Sequence, residues 1–302
     1  MVDSIGHALD DLAPATLAAG RGQATFAVNR RNNPEADVPS LRAAGRTLAG
    51  PVDHDVPVLR VTRPDGTPLA ILFGYACHPT TLSLMTWNGD YPGFAQLAIE
   101  ERHPGTTAMF VNTCGGDQNP LPRRTVELCM QYGRELAAGV EEALAGDLRP
   151  IAPTLATAYR SIELPYLAVI TRAELLAIVS DPEAARADAI KTRWATRLLA
   201  RLAAGESFPA SADYPLHAWR LGDTLMLGMG GGDRRRLRIA FQARIRRGHV
   251  GLRLRRRHAR LHPLATRVGG GGLRGGRAVL RVRPTRPAVG GRRRGPHREG
   301  RA

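Results

Sequence analysis

Two apolar segments joined by a tight turn, residues 56–76, restrict the fold of this chain more than any other feature. Residues 56–62 (VPVLRVT) alternate between apolar and polar side chains, as a half-buried strand does. The turn RPDGTP contains an Asp-Gly pair, which favours a hairpin, and residues 69–76 (LAILFGYA) are a continuous apolar run typical of a buried strand. The sequence therefore predicts a β-hairpin whose second strand ends close to His78, where loops commonly carry chemistry.

The segments that follow the hairpin predict helices layered against a sheet. Asp90, as the N-cap ahead of Pro92, starts a predicted helix. Residues 106–112 (TTAMFVN) predict another buried strand, and from Thr125 to about Ala145 apolar residues recur every three or four positions, as in an amphipathic helix. This order predicts an α/β fold with a mixed β-sheet flanked by helices.

Further elements are predicted up to the point where apolar periodicity ends. They are a strand over 153–164, one or two helices over 172–204 with a break near Asp181-Pro182, and a hairpin over 217–229 that turns at Gly222-Asp223. Beyond Gly230 the periodicity stops. The sequence thus divides into a domain over residues 1–232 and a tail over residues 233–302.

The tail differs from the domain in charge and composition. Residues 233–302 contain 23 arginines, no lysine and two acidic residues, whereas residues 1–232 contain 20 basic and 25 acidic residues. The formal net charge of +16 therefore comes from the tail. The domain has the mildly acidic balance of an ordinary globular protein, and the tail is predicted to be a disordered Arg/Gly/Pro-rich segment.

Three interpretations of the tail stay open. An Arg/Gly-rich segment can bind nucleic-acid phosphates, and a passive solvated tail has a similar composition. The interpretation we favour is translation of GC-rich DNA in a neighbouring reading frame, since such codons yield Arg, Gly, Pro, Ala and Leu but hardly any Lys. Residues 235–238, residues 253–264 and the glycine-rich run after Val268 can each be back-translated so that the other frame reads as ordinary protein sequence. The tail would then carry no evolved function, and no specific nucleic acid is expected as a partner.

Cysteine content and hydropathy exclude other classes of protein. Cys77, Cys114 and Cys129 form neither a disulfide framework nor a CxxC metal knuckle, so we expect reduced thiols. No stretch reaches the roughly 18–20 apolar residues that span a bilayer. The opening segment has no basic and apolar regions of a secretory signal, so the chain as given is expected in the cytoplasm. The oligomeric state stays open.

His78 is the residue around which a site could be built. A single histidine is more often a partly buried structural residue than a ligand. Here, however, Thr80 and Thr81 follow His78. A second polar loop, TCGGDQNP, follows a strand that could lie beside the strand ending near His78. Strand-end loops that converge form the pockets of mixed sheets, and zinc binds imidazole nitrogen.

Five segments together resemble the neutral/alkaline (non-lysosomal) ceramidase family, over roughly residues 15–232. In chain order they are GRGQATFAVNRR, HDVPVLRVTRPDGTPLAILFGYACHPTTL, GDYPGFAQ, MFVNTCGGDQNP and LGDTLMLGMGG. The resemblance implies a zinc-dependent hydrolase that cleaves the N-acyl amide bond of ceramide or a similar lipid amide. Members of that family are often secreted.

The resemblance also implies roles for individual residues. His78 would be a zinc ligand, and Arg30, in the Asn-Arg step after a Gly-Arg-Gly strand, would bind the polar head of the substrate. Gly116 and Asp117 match the Gly-Asp of the family's Gly-Asp-x-Ser-Pro loop, which would shape the oxyanion side of the site. Asn119 stands where that loop has its catalytic serine, and a carboxamide is neither a nucleophile nor a general base at neutral pH.

The other zinc ligands of the family are a second histidine, a glutamate and a tyrosine. The histidine segment is expected to lie upstream of this chain, since His7 lacks its context, and Asp233 is a displaced substitute for the glutamate at best. The tyrosine segment, Ala-Tyr-Ile-Pro-Ser, is found only in the alternative reading of the tail. We therefore expect an N-terminally truncated, frameshifted relative that binds zinc poorly. Direct attack by zinc-bound water, different amide or ester chemistry, and a non-catalytic domain all stay open.

Other candidate residues are weaker. Trp87 could line an acyl pocket or merely cover the hairpin. Asp53, His54 and Asp55 are predicted to form a solvated turn, and Asp90 is an N-cap rather than a metal ligand. Cys114 could be an alternative nucleophile, but no feature of the sequence places a base beside it.

Overall fold

The computed structural model describes residues 2–166 and 168–230. The helices described are α1 (Val2–Asp10), α2 (Val38–Ala43), α3 (Asp90–Arg102), α4 (Val126–Ala145), α5 (Arg172–Ser180), α6 (Pro182–Ala187) and α7 (Ala189–Ala203). The strands are β1 (Thr16–Gln23), β2 (Ala27–Asn29), β3 (Asp55–Thr62), β4 (Pro68–Tyr75), β5 (Thr107–Asn112), β6 (Gln118–Pro120), β7 (Arg149–Ile151), β8 (Leu155–Pro165), β9 (Ser211–Leu221) and β10 (Thr224–Met229). The predicted tail, with Asp233, lies outside the described residues.

The predicted hairpin is confirmed and forms the middle of a five-stranded sheet. The strand order is β5-β4-β3-β1-β7. Strands β3 and β4 are antiparallel, with Val58 opposite Phe73, whereas β4 and β5 are parallel, with Phe73 opposite Phe110. Helix α3 makes the crossover that a parallel pair requires. The predicted α/β fold with a mixed sheet flanked by helices is therefore confirmed.

Apolar side chains on one face of this sheet pack against α3 and α4. The buried residues of the two layers include Val56, Val58, Ile71, Phe73, Tyr75, Ile99, Leu136 and Val140. Helix α4 begins where the sequence predicted, since the Thr125 hydroxyl caps it by accepting a hydrogen bond from the backbone N–H of Leu128 (3.2 Å). The helix buries its apolar stripe, as amphipathic helices do.

Strand β1 and helix α4 touch backbone to backbone. A Cβ atom added to Gly22 would lie 1.8 Å from the carbonyl oxygen of Gly139, and one added to Gly139 would lie 2.4 Å from the carbonyl oxygen of Gln23. Because no side chain fits between them, both positions require glycine.

The chain divides into two compact units. One contains residues 2–161 and 214–230, and the other contains residues 162–166 and 168–213. The second unit includes the predicted helical region, which breaks at Asp181, as expected, and again at Asp188. The carboxylate of Asp188 caps α7 by accepting a hydrogen bond from the backbone N–H of Lys191 (2.9 Å). Its apolar centre is formed by Leu175, Ile178 and Ala195.

The remaining predicted strands are confirmed. Strands β8, β9 and β10 form a three-stranded sheet, and the β9–β10 hairpin turns at Gly222, which has a positive φ of 56°. Among the described helices, none has the length and apolar character needed to cross a bilayer.

Candidate functional site

Three loops of the first unit meet around a short ladder that the sequence did not predict. Strands β2 and β6 are antiparallel, with Asn29 opposite Gln118. The backbone N–H of Arg30 donates to the carbonyl of Asp117 (2.9 Å), and the backbone N–H of His78 donates to the carbonyl of Gln118 (3.0 Å). Successive carbonyls of a strand point to opposite sides. Arg30 and His78 are therefore attached to opposite edges of β6.

Gln118 fixes β6 to the rest of the domain. Its side chain is fully buried. The amide oxygen accepts from the backbone N–H of Asp53 (2.6 Å), and the amide nitrogen donates to the carbonyl of Ala76. The predicted solvated turn is wrong for Asp53, which is only 8% exposed because this bond holds it against the ladder.

The loop between β5 and β6 packs directly on the end of β4. A Cβ atom on Gly115 would lie 2.6 Å from the backbone nitrogen of Cys77. The backbone N–H of Thr113 donates to the carbonyl of Tyr75 (3.0 Å). This contact needs glycine at position 115, and it places Gly116 and Asp117 beside the segment that carries His78.

Burial and nearby cations hold His78 in its neutral form. Desolvation is the largest cause that lowers the pKa of His78 below its usual 6.5, and the positive charges of Arg30, Arg31 and Arg123 lower it further. The carboxylate of Asp117 acts in the opposite direction. The imidazole is therefore neutral at pH 7, which is the form that binds a metal ion.

Arg30, in the segment after β2, is bound to the loop that carries Asp117. Its Nη2 atom donates to the carbonyl of Gly116 (3.1 Å), and the residue is partly buried. The guanidinium group is thus held against the carbonyl of Gly116, another residue that the resemblance selects.

Asp90 holds the loop that follows His78. The predicted helix start is confirmed, but Gly89 is the N-cap and Asp90 is the first helical residue. The buried Asp90 carboxylate accepts hydrogen bonds from the backbone N–H groups of Thr81 (3.1 Å), Leu82 (2.8 Å) and Tyr91 (2.8 Å). Its role in the described structure is that of an anchor.

An ion pair that sequence reasoning missed braces the same loop. Arg123 binds Glu35 through Nε (2.8 Å) and Nη2 (2.6 Å), and its Nη1 donates to the carbonyl of Thr80 (3.2 Å). The side-chain hydrogen bond from Arg123 is the largest cause that lowers the pKa of Glu35. The pairing is bidentate, a geometry that arginine favours with carboxylates. No local pattern links residues 88 positions apart.

Asp117 and Asn119 are both buried beside this loop. They are 6% and 5% exposed. No hydrogen bond among the described residues satisfies the Oδ1 atom of Asp117 or that of Asn119. The structure thus brings together five of the predicted site residues, namely Arg30, His78, Gly116, Asp117 and Asn119.

Trp87 and the cysteines lie outside this group. Trp87 is fully exposed in the connection between β4 and α3. Cys77, Cys114 and Cys129 form no disulfide in the described structure, and burial raises the pKa of Cys129 to about 12 and that of Cys77 well above its usual value. Neither Cys77 nor Cys129 is therefore a ready nucleophile.

The described residues do not by themselves form a zinc site. Within residues 2–166 and 168–230, no group of three or more His, Cys, Asp or Glu side chains is arranged to hold a metal ion. A zinc site needs about three protein ligands, and of the predicted ligands the described part of the chain contains only His78.

Solved structures share this architecture. The neutral ceramidase of Pseudomonas aeruginosa superposes with a TM-score of 0.50 at 18% identity, over 75% of this chain and 42% of the bacterial enzyme. A ceramidase complexed with C2 superposes with a TM-score of 0.55 at 15% identity, over 83% of this chain and 47% of the other.

The chain has a ceramidase-like fold. It spans less than half the length of these two proteins. No protein-family model and no curated protein sequence matches it.

Proposed function

We propose that this chain is part of a hydrolase of lipid N-acyl amides, and that it binds such a lipid better than it cleaves it. The observation that supports this most is the meeting of Arg30, His78 and the loop over residues 115–120 at one strand end of a ceramidase-like fold. The same residues are those that the sequence resemblance selects.

The proposed roles follow from the contacts of each group. Arg30, whose guanidinium is fixed by the carbonyl of Gly116, would orient the polar head of the lipid. Neutral His78 would offer one nitrogen to zinc, which when bound polarises a carbonyl and acidifies water. Because the described residues contain no complete ligand set, we assign no reaction step to zinc in this chain.

Low turnover follows from the residue at position 119. Asn119 has no lone pair basic enough to accept a proton from water at neutral pH, and it cannot form an acyl intermediate as a serine can. We therefore expect measurable binding of a short-chain ceramide with weak zinc affinity and hardly any hydrolysis.

Binding and turnover should be measured separately. We expect Arg30→Ala to weaken binding of a fluorescent short-chain ceramide about 10-fold, equivalent to the loss of one charged hydrogen bond. The control Arg21→Ala removes a β1 arginine that is 59% exposed and pairs with Asp55, so binding should stay unchanged. Absence of ceramide binding would refute the function. Stoichiometric, tight zinc binding with rapid hydrolysis of ceramide would refute the proposal that this chain cleaves its lipid poorly.

A further inference from the structure

The described residues leave one face of the five-stranded sheet open. Residues paired across neighbouring strands share a face, so the positions that alternate with the core residues form the second face of the sheet. Leu59 and Leu72, on its central strands, are only half-buried. Val58 and Phe73, on the side of helices α3 and α4, are almost fully buried. The apolar residues of the second face, which together we call the open face, are Leu17, Ala19, Pro57, Leu59, Val61, Leu72, Met109 and Val111.

The open face requires an apolar partner. A sheet face that meets water carries polar residues in alternation with the core, whereas these positions are apolar. Contiguous apolar patches of this kind mark contact sites. The tail over residues 233–302, with its 23 arginines, is a poor candidate for the partner, because burying charged groups on an apolar surface costs free energy. The partner should instead present a stripe of apolar side chains.

Helix α1 presents such a stripe. Val2, Ile5 and Leu9, followed by Leu12 just past the helix, recur at spacings of three and four, which places them on one side. No residue of α1 is buried, and Ile5 and Leu9 are 57% and 62% exposed. A helix of nine residues is only marginally stable by itself, and its stripe is too short for a coiled coil. It needs a larger apolar surface to lie on.

The two surfaces match in size. A helical stripe from Val2 to Leu12 is about 16 Å long. The four strands that contribute to the open face, spaced about 4.8 Å apart, make it about 19 Å wide. A helix packed there would give the sheet a helical layer on each face, which is a common arrangement of α/β folds.

The connection between α1 and β1 favours a second copy of the chain over the helix's own sheet. Pro14 disfavours a helical conformation of Ala13, and no turn is described over residues 12–15, so this segment runs extended into Thr16. In the described structure the stripe of α1 accordingly lies clear of its own open face. A helix carried on an extended arm can reach the same face of another copy.

We propose that two copies of this chain exchange their α1 helices, so that the stripe of each lies on the open face of the other. The exchange is reciprocal, as two-fold symmetry requires. One helix footprint of about 16 by 10 Å is far smaller than the contact of a stable complex, which buries roughly 1,600 Å² in total, and the exchange forms the contact twice. This inference does not depend on the proposed function.

Sedimentation equilibrium of the full chain tests the exchange. We expect a dimer that dissociates at roughly micromolar concentrations. It should persist in about 0.5 M salt, where contacts of the arginine-rich tail are screened and apolar contacts are not. Ile5→Glu places a charge in the stripe and should weaken dimerisation at least about 10-fold. Ser4→Glu adds the same charge at a neighbouring exposed position outside the stripe and should leave dimerisation unchanged.

A variant of the open face tests the other side of the contact. Leu59→Thr makes the middle of the face more polar but keeps a residue that strands favour, so circular dichroism should show the parent fold. We expect it to weaken dimerisation as Ile5→Glu does, because each loses one partner of the same contact. Unchanged dimerisation of folded Leu59→Thr would overturn the assignment of the open face.

A mixture of isotope-labelled and unlabelled copies shows which chain supplies the helix. We expect nuclear Overhauser effects between the methyl groups of Ile5 or Leu9 on one copy and those of Leu59 or Leu72 on the other. A monomer at all concentrations, a dimer that Ile5→Glu leaves intact, or contacts of α1 confined to its own copy would each overturn the exchange. The proposed function would stand in all three cases.

Discussion

The sheet core and the strand-end loops of the first unit are held together by different forces. Between the sheet and helices α3 and α4, buried apolar side chains such as Phe73 and Leu136 pack without any need for exact partners. At the strand ends, buried polar residues such as Gln118 and Asp90 each bind particular backbone groups. The difference indicates that the core tolerates conservative change, whereas each loop anchor is specific to its partner.

The largest expected effect is in the core. Phe73 is 1% exposed, so Phe73→Ala should lower the free energy of unfolding by about 4 kcal/mol through lost burial and an unfilled cavity. Met109, on the neighbouring strand, is 42% exposed, and Met109→Ala should cost less than about 1 kcal/mol. Urea titration measures both, and similar losses would contradict the described core.

The next effect tests the loop anchors. Gln118→Leu removes two buried hydrogen bonds, to the N–H of Asp53 and to the carbonyl of Ala76, so we expect the free energy of unfolding to fall by about 3 kcal/mol and the His78 imidazole signals to shift in NMR spectra. Gln96 makes one partly buried hydrogen bond, to the carbonyl of Ala108, and serves as the control. Gln96→Leu should cost about 1 kcal/mol and leave the His78 signals in place.

A smaller effect concerns the Glu35–Arg123 pair. The folded-state pKa of Glu35 lies below its usual 4.5, so the stability that the charged carboxylate provides is present above pH 4.5 and is lost as the pH falls through the folded-state pKa. The melting temperatures of the protein and of Glu35→Gln should therefore differ at pH 7 and converge in acid. In an Arg123→Gln background the same substitution should have a smaller effect, because only the longer ion pair of Glu35 with Arg124 (3.4 Å) then remains. An undiminished difference there would exclude the Glu35–Arg123 pair as its main source.

The smallest effect is the titration of His78. Its pKa is below 6.5 in the folded protein, so the unfolded chain binds the proton more readily, and stability should fall as the pH drops below 6.5 toward the folded-state pKa. NMR titration of the imidazole should give a midpoint below 6.5. His78→Gln should remove this part of the pH dependence, and a midpoint at or above 6.5 would show that the ring is not buried among cations.

The contrast between the two regions also explains what the sequence could predict. Strands β3, β4 and β5 and helix α4 follow from local periodicity and turn residues, because each buries one face of a regular element. The approach of the loop that carries Asp117 to His78 follows from the convergence of strand-end loops, whereas Arg30 was selected by the family resemblance and not by any spacing rule.

Other parts of the site had no local signal. Strand β6 is only three residues long, and the roles of Gln118 and Glu35 depend on partners 65 and 88 residues away. Asp53 lies in a polar cluster that is typical of a solvated turn, and its burial involves a hydrogen bond from its backbone N–H to the distant amide of Gln118. Long-range polar contacts of this kind cannot be read from a single sequence.

The glycine pair at the contact of β1 with α4 has a consequence for how this fold can vary. Gly22 and Gly139 each face the backbone of the other element. A larger residue at either position therefore cannot be accommodated by a smaller side chain opposite it, because the opposing atoms belong to the backbone. A substitution that introduces a side chain at either position must move helix α4 away from the sheet. The aromatic and aliphatic side chains packed between the helix and the sheet would then have to change as well.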